Sequence, residues 1–459
     1  MQVKPIKIFV FIFCLMTATG AYSQTLKTKL TNAVNGLRND SQMTNGIMSL
    51  YVIDRETGKV VYDYNSRMGL SPASTQKVIT ATTAYETLGK DFRYETKFML
   101  ETSRGDTFVS NIIVRGSGDP TFGSWRYTNT QRQTVITNIK NELNKLQYKI
   151  RPSGVTVYIN NKDNNPLPGG YIWKDAGNYY GAGHFDLNWN ENQYDIFYNT
   201  NGDDVKIKNT DPALPPNIKF FNYLQQGTSG SGDQSVMYSV PYSKEIFLYG
   251  SIPEGQKAFK VSGSLPNPAE VFLNELQFPG SRIIKDSVYV DRFFELPYNA
   301  YDSIYTHYSP TLDSINYWFL KKSVNLYGEA LIKTIAQKTS GKNGTEAGTE
   351  AVRNFWKTRG IPENELKMED GSGLSPQNKI TTHALVTALQ YATNKTWFTG
   401  FYDALPIYND IKMKSGTIGG CKGFTGYTTK YIFAIIINNY NGTHTGIVKK
   451  MYSVLDNLK

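Results

Sequence analysis

The residue pattern predicts an α/β chain of the α+β kind, in which both chain ends build one sheet flanked by helices and the middle of the chain is inserted. Two observations carry this expectation. Near both ends, amphipathic helical stretches alternate with apolar strand-like runs. Between about Arg93 and Pro297 the texture changes to short alternating runs broken by Gly, Asn, Asp and Pro. With 459 residues, 40% of them hydrophobic, the chain can bury more than one core, and its length suits two or three domains.

Taken in order, Thr25 to Leu37 reads as an amphipathic helix. Ile47 to Ile53 and Val60 to Tyr64 read as a hairpin around Arg55-Glu-Thr-Gly58, and a helix starts near Ser74. Thr96 to Leu100, Val155 to Ile159, Val205 to Ile207 and Glu245 to Leu248 follow as strands of the insertion. Helices return from Leu312 to Trp356, interrupted by the polar stretch Thr339 to Glu346, and again from His383 to Ala392. Lys430 to Asn438, apolar almost throughout, reads as a buried strand, and Thr445 to Leu458 as the last helix. The expected domains are therefore 24–92 with 298–459, and an inserted region 93–297 of strand-like runs. There is no convincing internal repeat.

Before all of these, Lys4 and Lys7 make a basic start, Ile8 to Met16 an apolar core and Ala21-Tyr22-Ser23 a small-x-small cleavage site, so residues 1–23 read as a secretory signal peptide. The apolar run is too short for a spanning helix. Cys14 follows Phe11-Ile12-Phe13 rather than small residues, which argues against a lipidated cysteine. An exported chain located in the periplasm or cell envelope is expected, with no transmembrane segment. Removal of Cys14 leaves Cys421 alone, a buried and inert thiol by default. Lys4 and Lys7 are the charged residues of 1–23, so the formal +10 becomes +8. That basic surface suits peripheral association with an anionic envelope; no Lys/Arg run or motif points to nucleic acid.

Ser74-Thr75-Gln76-Lys77 is the sole Ser-x-x-Lys of the sequence. On a helix, residues three apart share a face, so an amine can reach the hydroxyl. A serine in a first turn also has unpaired amides and the positive dipole end beside it, which favour an oxyanion. The hydroxyl needs a base, and a lysine whose pKa is lowered by burial or neighbouring cations can serve. Alone, such a spacing is expected by chance roughly once or twice in a chain of this length. Its company matters more: Ser323-Val324-Asn325, Asp370-Gly-Ser-Gly-Leu-Ser375 and Lys414-Ser415-Gly416-Thr417 follow in that order. A rival Ser314-Ile315-Asn316 lies inside the helical run Leu312 to Leu320, whereas Ser323 and Asn325 fall between two helices, where both can point into a cleft.

Pro72-Ala-Ser-Thr-Gln-Lys77, Gly116-Ser-Gly-Asp-Pro-Thr121, Trp173-Lys-Asp-Ala-Gly-Asn-Tyr-Tyr180, Ser309-Pro-Thr-Leu312, Ser323-Val-Asn-Leu-Tyr-Gly-Glu-Ala-Leu331, Asp370-Gly-Ser-Gly-Leu-Ser375 and Lys414-Ser-Gly-Thr417 together resemble the landmarks of the penicillin-binding D-alanyl-D-alanine carboxypeptidases and endopeptidases of low-molecular-mass class C. The resemblance covers essentially the whole chain after residue 23. It implies a beta-lactamase/transpeptidase-like catalytic domain, an antiparallel sheet with a helical lobe, interrupted by an insertion of two smaller, mostly β domains. It implies that Ser74 attacks the D-Ala-D-Ala carbonyl, Lys77 takes its proton, and Ser323 with Asn325 relays a proton to the leaving D-alanine and orients the substrate. Lys414, Ser415 and Thr417 would hold the terminal carboxylate on an edge strand. The backbone amides of Ser74 and Thr417 would form the oxyanion hole, worth about 3 kcal/mol per donor. The partners implied are peptidoglycan stem peptides, with beta-lactams as covalent inhibitors.

In such relatives an aspartate in the aromatic stretch reads the amine of the third peptide residue. Asp175 matches that position, with Tyr180 beside it. Lys414-Ser415-Gly416 replaces the usual Lys-Thr-Gly, keeping the hydroxyl, while Val324 stands where aspartate is frequent and Pro376 where an arginine often follows the Ser-Gly-Leu-Ser run. Asn178 to Tyr198, rich in Tyr, Trp and Asn, suits either a sugar or peptide groove or subdomain packing.

Other chemistries have less support. His184, His307, His383 and His444 show no metal-ligand spacing, so neither a metal nor another cofactor is expected. No Gly-x-Ser-x-Gly elbow precedes a helix, although a Ser-His-Asp triad could still assemble in space. A catalytically inactive peptidoglycan-binding scaffold is the alternative from another class, and a beta-lactamase a third reading within the same chemistry.

Overall fold

Tyr431–Asn438 forms one of the inner strands of a six-stranded sheet, and its unbroken run of Tyr, Phe, Ala and Ile follows from burial on both faces. The computed structural model describes residues 25–102, 109–145, 154–158, 165–278, 280–284 and 302–459. The expected leader, residues 1–23, lies outside them. The described residues divide into two compact units: those within 25–82, 353–368 and 376–459 make the first, those within 83–352 and 369–375 the second.

In the first unit the strands run in the order Ile407–Tyr408, Ile411–Ile418, Cys421–Tyr427, Tyr431–Asn438, Ile47–Asp54, Val60–Tyr64. Every neighbouring pair is antiparallel. The two chain ends thus meet in one sheet, Leu50 opposite Ile435 and Val52 opposite Phe433. Alternation along these strands sends Leu50, Val52, Phe433, Ile435 and Ile437 to one face. There they pack with Leu30, Val34 and Leu37 of the helix 25–38 and with Ile447, Met451 and Leu455 of the helix His444–Leu455. The helix Thr382–Thr393, capped by the Thr381 hydroxyl, contacts the same central strands, and its Thr382 Oγ1 lies 2.6 Å from Ser49 Oγ. A sheet with a helix pair against one face explains the alternation of helix and strand read at the ends.

The second unit contains a mixed five-stranded sheet in the order Arg282–Ile284, Val155–Tyr158, Val109–Arg115, Glu95–Thr102, Asp302–Tyr308. Val155–Tyr158 is parallel to both of its neighbours. Three smaller sheets lie between Gln193 and Ser264. Two helices of this region, Arg132–Lys145 and Pro268–Leu276, were not isolated from the sequence. Both present apolar stripes, Val135, Ile136, Ile139 and Leu143 in one, Val271, Phe272 and Leu276 in the other, to a core shared with Phe98, Val157 and Trp189. The polar face of Arg132–Lys145, rich in Gln, Asn and Thr, resembles the surrounding loops, and Pro268–Leu276 spans only nine residues, which hid the helical period. Among the described residues no helix is long and apolar enough to cross a membrane.

Ile435 is fully buried in the first core. Ile435→Ala is expected to lower stability by about 2–5 kcal/mol, seen as a fall in the urea midpoint with an unchanged slope.

Candidate active site

Pro72, Ala73 and Ser74 enter the helix Lys77–Leu88 through a 3-10 turn, Ala73–Gln76. Ala73 sits at φ 47°, a left-handed conformation that costs a non-glycine residue energy and recurs where a side chain is aimed for function. One turn on, Lys77 is fully buried, and its Nζ donates to Ser74 Oγ at 2.9 Å. The spacing of three places the amine on the hydroxyl, as the motif predicts.

The hairpin Ile411–Ile418 and Cys421–Tyr427 packs against that turn. A Cβ on Gly416 would stand 2.6 Å from the Pro72 carbonyl oxygen and 2.9 Å from the Ser74 amide nitrogen. Only glycine lets the strand come this close to the serine's backbone. Lys414 is buried, and its Nζ donates to the Ser415 carbonyl oxygen at 2.8 Å. Burial, and then the positive charges of Lys77 and Lys422, hold its pKa well below the usual lysine value. Lys422 lies across the hairpin from Thr417 and donates to Thr417 Oγ1 at 2.8 Å. Burial lowers its pKa to about 8. Cys421 is buried as expected: its Sγ donates to the Ser71 carbonyl oxygen, and burial pushes the thiol up to about 12. The structure therefore brings together Ser74, Lys77, Lys414, Ser415 and Thr417 in the first unit. Among the described residues the strand carrying Lys414 is an edge except at Ile411 and Lys412, which pair with Tyr408 and Ile407.

Ser323, Asn325, Asp175 and Tyr180 belong to the second unit. Ser323 lies between the helices Leu312–Lys321 and Asn325–Ser340, with φ at 58°, a strained value that marks it out from an ordinary linker. Asn325 is the first residue of its helix, and its Nδ2 donates to the Tyr180 carbonyl oxygen at 2.8 Å. The rival Asn316 is buried within the preceding helix. Asp175 lies in the short helix Trp173–Ala176, and the Tyr180 hydroxyl donates to its Oδ1 at 3.3 Å. Burial is the main cause raising both groups, Tyr180 to about 12.

Below Asn325 the helix is pinned to the stretch Asp370–Ser375. A Cβ on Gly371 would meet the Gly328 carbonyl oxygen at 2.1 Å, so helix and loop touch backbone to backbone. Glu329 accepts from the Gly371 amide at 3.2 Å and from the Tyr171 hydroxyl at 3.1 Å. Asp370 accepts from the amides of Gly373 and Ser375, each at 2.6 Å. Burial, reinforced by the Asp370 carboxylate, raises Glu329 to about 7.

The sequence pattern of the D-Ala-D-Ala carboxypeptidase 3 (S13) family matches residues 30–420. The chain belongs to this family. It is 23% identical over 465 residues to a D-alanyl-D-alanine carboxypeptidase of an Actinomadura species, spanning 90% of this chain and 82% of that one. To the D-alanyl-D-alanine carboxypeptidase DacB of Haemophilus influenzae it is 22% identical, over 83% of each chain. Penicillin binding protein 4 of Haemophilus influenzae has a similar fold, with a TM-score of 0.74 at 20% identity, over 93% of this chain and 98% of that one. A second structure of that protein, complexed with a beta-lactam, gives a TM-score of 0.71.

Within this family frame, the sequence reading missed Lys422 and Glu329. Lys422 could have been found from the hairpin itself, since the turn Gly419-Gly420 sets Thr417 opposite it. Glu329 sits in the quoted motif, one turn after Asn325, but only the fold shows what it holds. Most of Asn178 to Tyr198 proves to be core, though Tyr179 is exposed and Tyr180 half-buried: Trp189, Tyr194 and Tyr198 are fully buried, and Asn188, Asn190 and Asn192 are buried and hydrogen-bonded. Gly416→Ala should cost about 1–3 kcal/mol by overpacking against Ser74. Urea unfolding of the variant beside the parent chain measures it.

Proposed function

We propose that this chain is a serine DD-peptidase that hydrolyses D-Ala-D-Ala ends, D-Ala cross-links, or both, in peptidoglycan stem peptides. The observation that carries this reading is the Lys77 amine on the Ser74 hydroxyl at 2.9 Å, fully buried and beside Lys414. Ser74 Oγ attacks the carbonyl of the penultimate D-alanine, and its proton goes to Lys77 Nζ. The amides of Ser74 and Thr417 take the oxyanion. The C–N bond then breaks, the proton passes through Ser323 to the departing D-alanine amine, and Asn325 orients the peptide. Water adds to the acyl-enzyme, giving up a proton as the ester bond to Ser74 breaks.

Lys414, Ser415 and Thr417 hold the terminal carboxylate, with Lys422 fixing the Thr417 hydroxyl. Asp175 and Tyr180 read the third peptide residue. Beta-lactams acylate Ser74 in the same way and leave slowly. The catalytic domain comprises 24–92 and 298–459, with 93–297 inserted. The leader pattern of residues 1–23 supports export to the periplasm or envelope.

D-Alanine release from a stem pentapeptide tests the activity. Wild type should release it, and Ser74→Ala and Lys77→Ala should each lose at least a thousandfold; retention of activity by Ser74→Ala would refute the assignment. Asp175→Ala should lower kcat/KM on peptides bearing a free third-residue amine more than on acylated D-Ala-D-Ala, and equal losses would remove Asp175 from recognition.

The pH profile tests the lysine cluster. Carboxylate binding needs the Lys414 ammonium, whose pKa is depressed by burial and by Lys77 and Lys422. Substrate KM should therefore rise as pH climbs through that lowered pKa. Lys422→Met removes one of the depressing charges, so the alkaline limb should move to higher pH, read from KM between pH 6 and 10.

A further inference from the structure

The three-stranded sheet of the second unit, in the order Val236–Tyr238, Glu245–Tyr249, Lys219–Asn222, has two apolar faces where alternation leads one to expect one. Its inner side is accounted for: Met237, Ile246 and Leu248 are buried in the core, with Phe220 against them. On the outer side, register places Tyr238, Phe247 and Phe221 in one row and Val236, Tyr249 and Tyr223 in the next.

These rings form a connected platform. Phe221 and Phe247 stack with centroids 4.8 Å apart, Tyr223 and Tyr249 at 5.1 Å, and Tyr238 meets Tyr249 edge-on at 5.9 Å. Trp173 stacks on Tyr238 at 6.1 Å. Trp173, Tyr223 and Tyr249 remain 63%, 54% and 45% exposed. Contiguous exposed apolar surface of this kind marks a binding face.

We propose that this platform binds the glycan strand of peptidoglycan, a β-linked chain of N-acetylated amino sugars, and so holds the enzyme on its polymeric substrate. Three features select a sugar chain over an apolar protein partner. The platform is built almost wholly of aromatic rings, which take the C–H faces of sugars, and lacks Leu, Ile and Met. Its tyrosines end in hydroxyls that can bond sugar hydroxyl and acetamido groups while the ring bodies remain apolar contacts. It is also continuous with the peptide-reading residues, because Trp173 opens the short helix that carries Asp175, and the Asp175 carboxyl accepts from Tyr180. This inference rests on the peptidase reading, in which the stem peptide hangs from that glycan.

The test is co-sedimentation of the full chain with insoluble glycan strands stripped of their stem peptides, comparing wild type with the double variant Tyr223→Ser and Tyr249→Ser. Both residues are exposed, and fluorescent-penicillin labelling reports the integrity of Ser74 in each protein. Wild type should sediment with the strands, and the double variant should bind at least tenfold more weakly, with labelling and D-alanine release from a soluble pentapeptide unchanged. Equal sedimentation of the two proteins would overturn the proposal. So would a wild type that does not bind the strands but forms a dimer, lost in the variant, by sedimentation velocity; the face would then join two copies. Absence of penicillin labelling in wild type would instead strike the peptidase reading, while glycan binding that depends on the tyrosines would still stand.

Discussion

An amine buried against a serine hydroxyl, whose charge helps lower the proton affinity of a second buried lysine, is the constraint on which this part of the first unit is built. Lys77, Lys414 and Lys422 would repel one another as ammonium groups, and burial strips away the water that would screen them. The fold keeps them there by covalent economy: Lys77 comes from the helix after Ser74, Lys414 from one strand of a hairpin and Lys422 from the other. Gly416 lets that hairpin lie on the serine's backbone, so the electrostatics of the cluster depend on a missing side chain. Such a cluster is costly for stability and suited to chemistry, the usual sign of a site shaped by function.

The second unit meets a related demand with carboxylates. Ser323 occupies a strained φ, which persists only when its surroundings over-determine it. The helix starting at Asn325 is held by Gly328 against Gly371, and Glu329 and Asp370 tie down the backbone amides of the 370–375 loop. The glycines and serines of Asp370-Gly-Ser-Gly-Leu-Ser375 are thus explained by backbone contact and amide satisfaction, with no need to assign each side chain a step in the reaction.

How far the sequence foretold this depends on the kind of signal. The paired chain ends were legible because Ile47 to Ile53 and Lys430 to Asn438 carry strand periodicity and burial in their own residues. Ser74 and Lys77 were legible because a helical spacing of three is a contact in itself. Lys422 was not, since its importance lies in a cross-strand register, and neither was Glu329, whose partners Tyr171 and Gly371 are distant in sequence on either side. The Asn178 to Tyr198 stretch shows the limit of composition: aromatic and amide side chains fill a core as readily as they line a groove. The exposed platform came from Trp173 and from strands read only as Glu245 to Leu248, where the outward ring positions depend on register.

The central claim is that Ser74 is the residue acylated. Digestion of the chain after incubation with benzylpenicillin, followed by mass mapping of the peptides, tests it most directly. A single adduct on the peptide containing Ser74, absent when Lys77 is replaced by alanine, is the predicted result. An adduct on any other serine, or a folded chain that acquires none, would contradict the account.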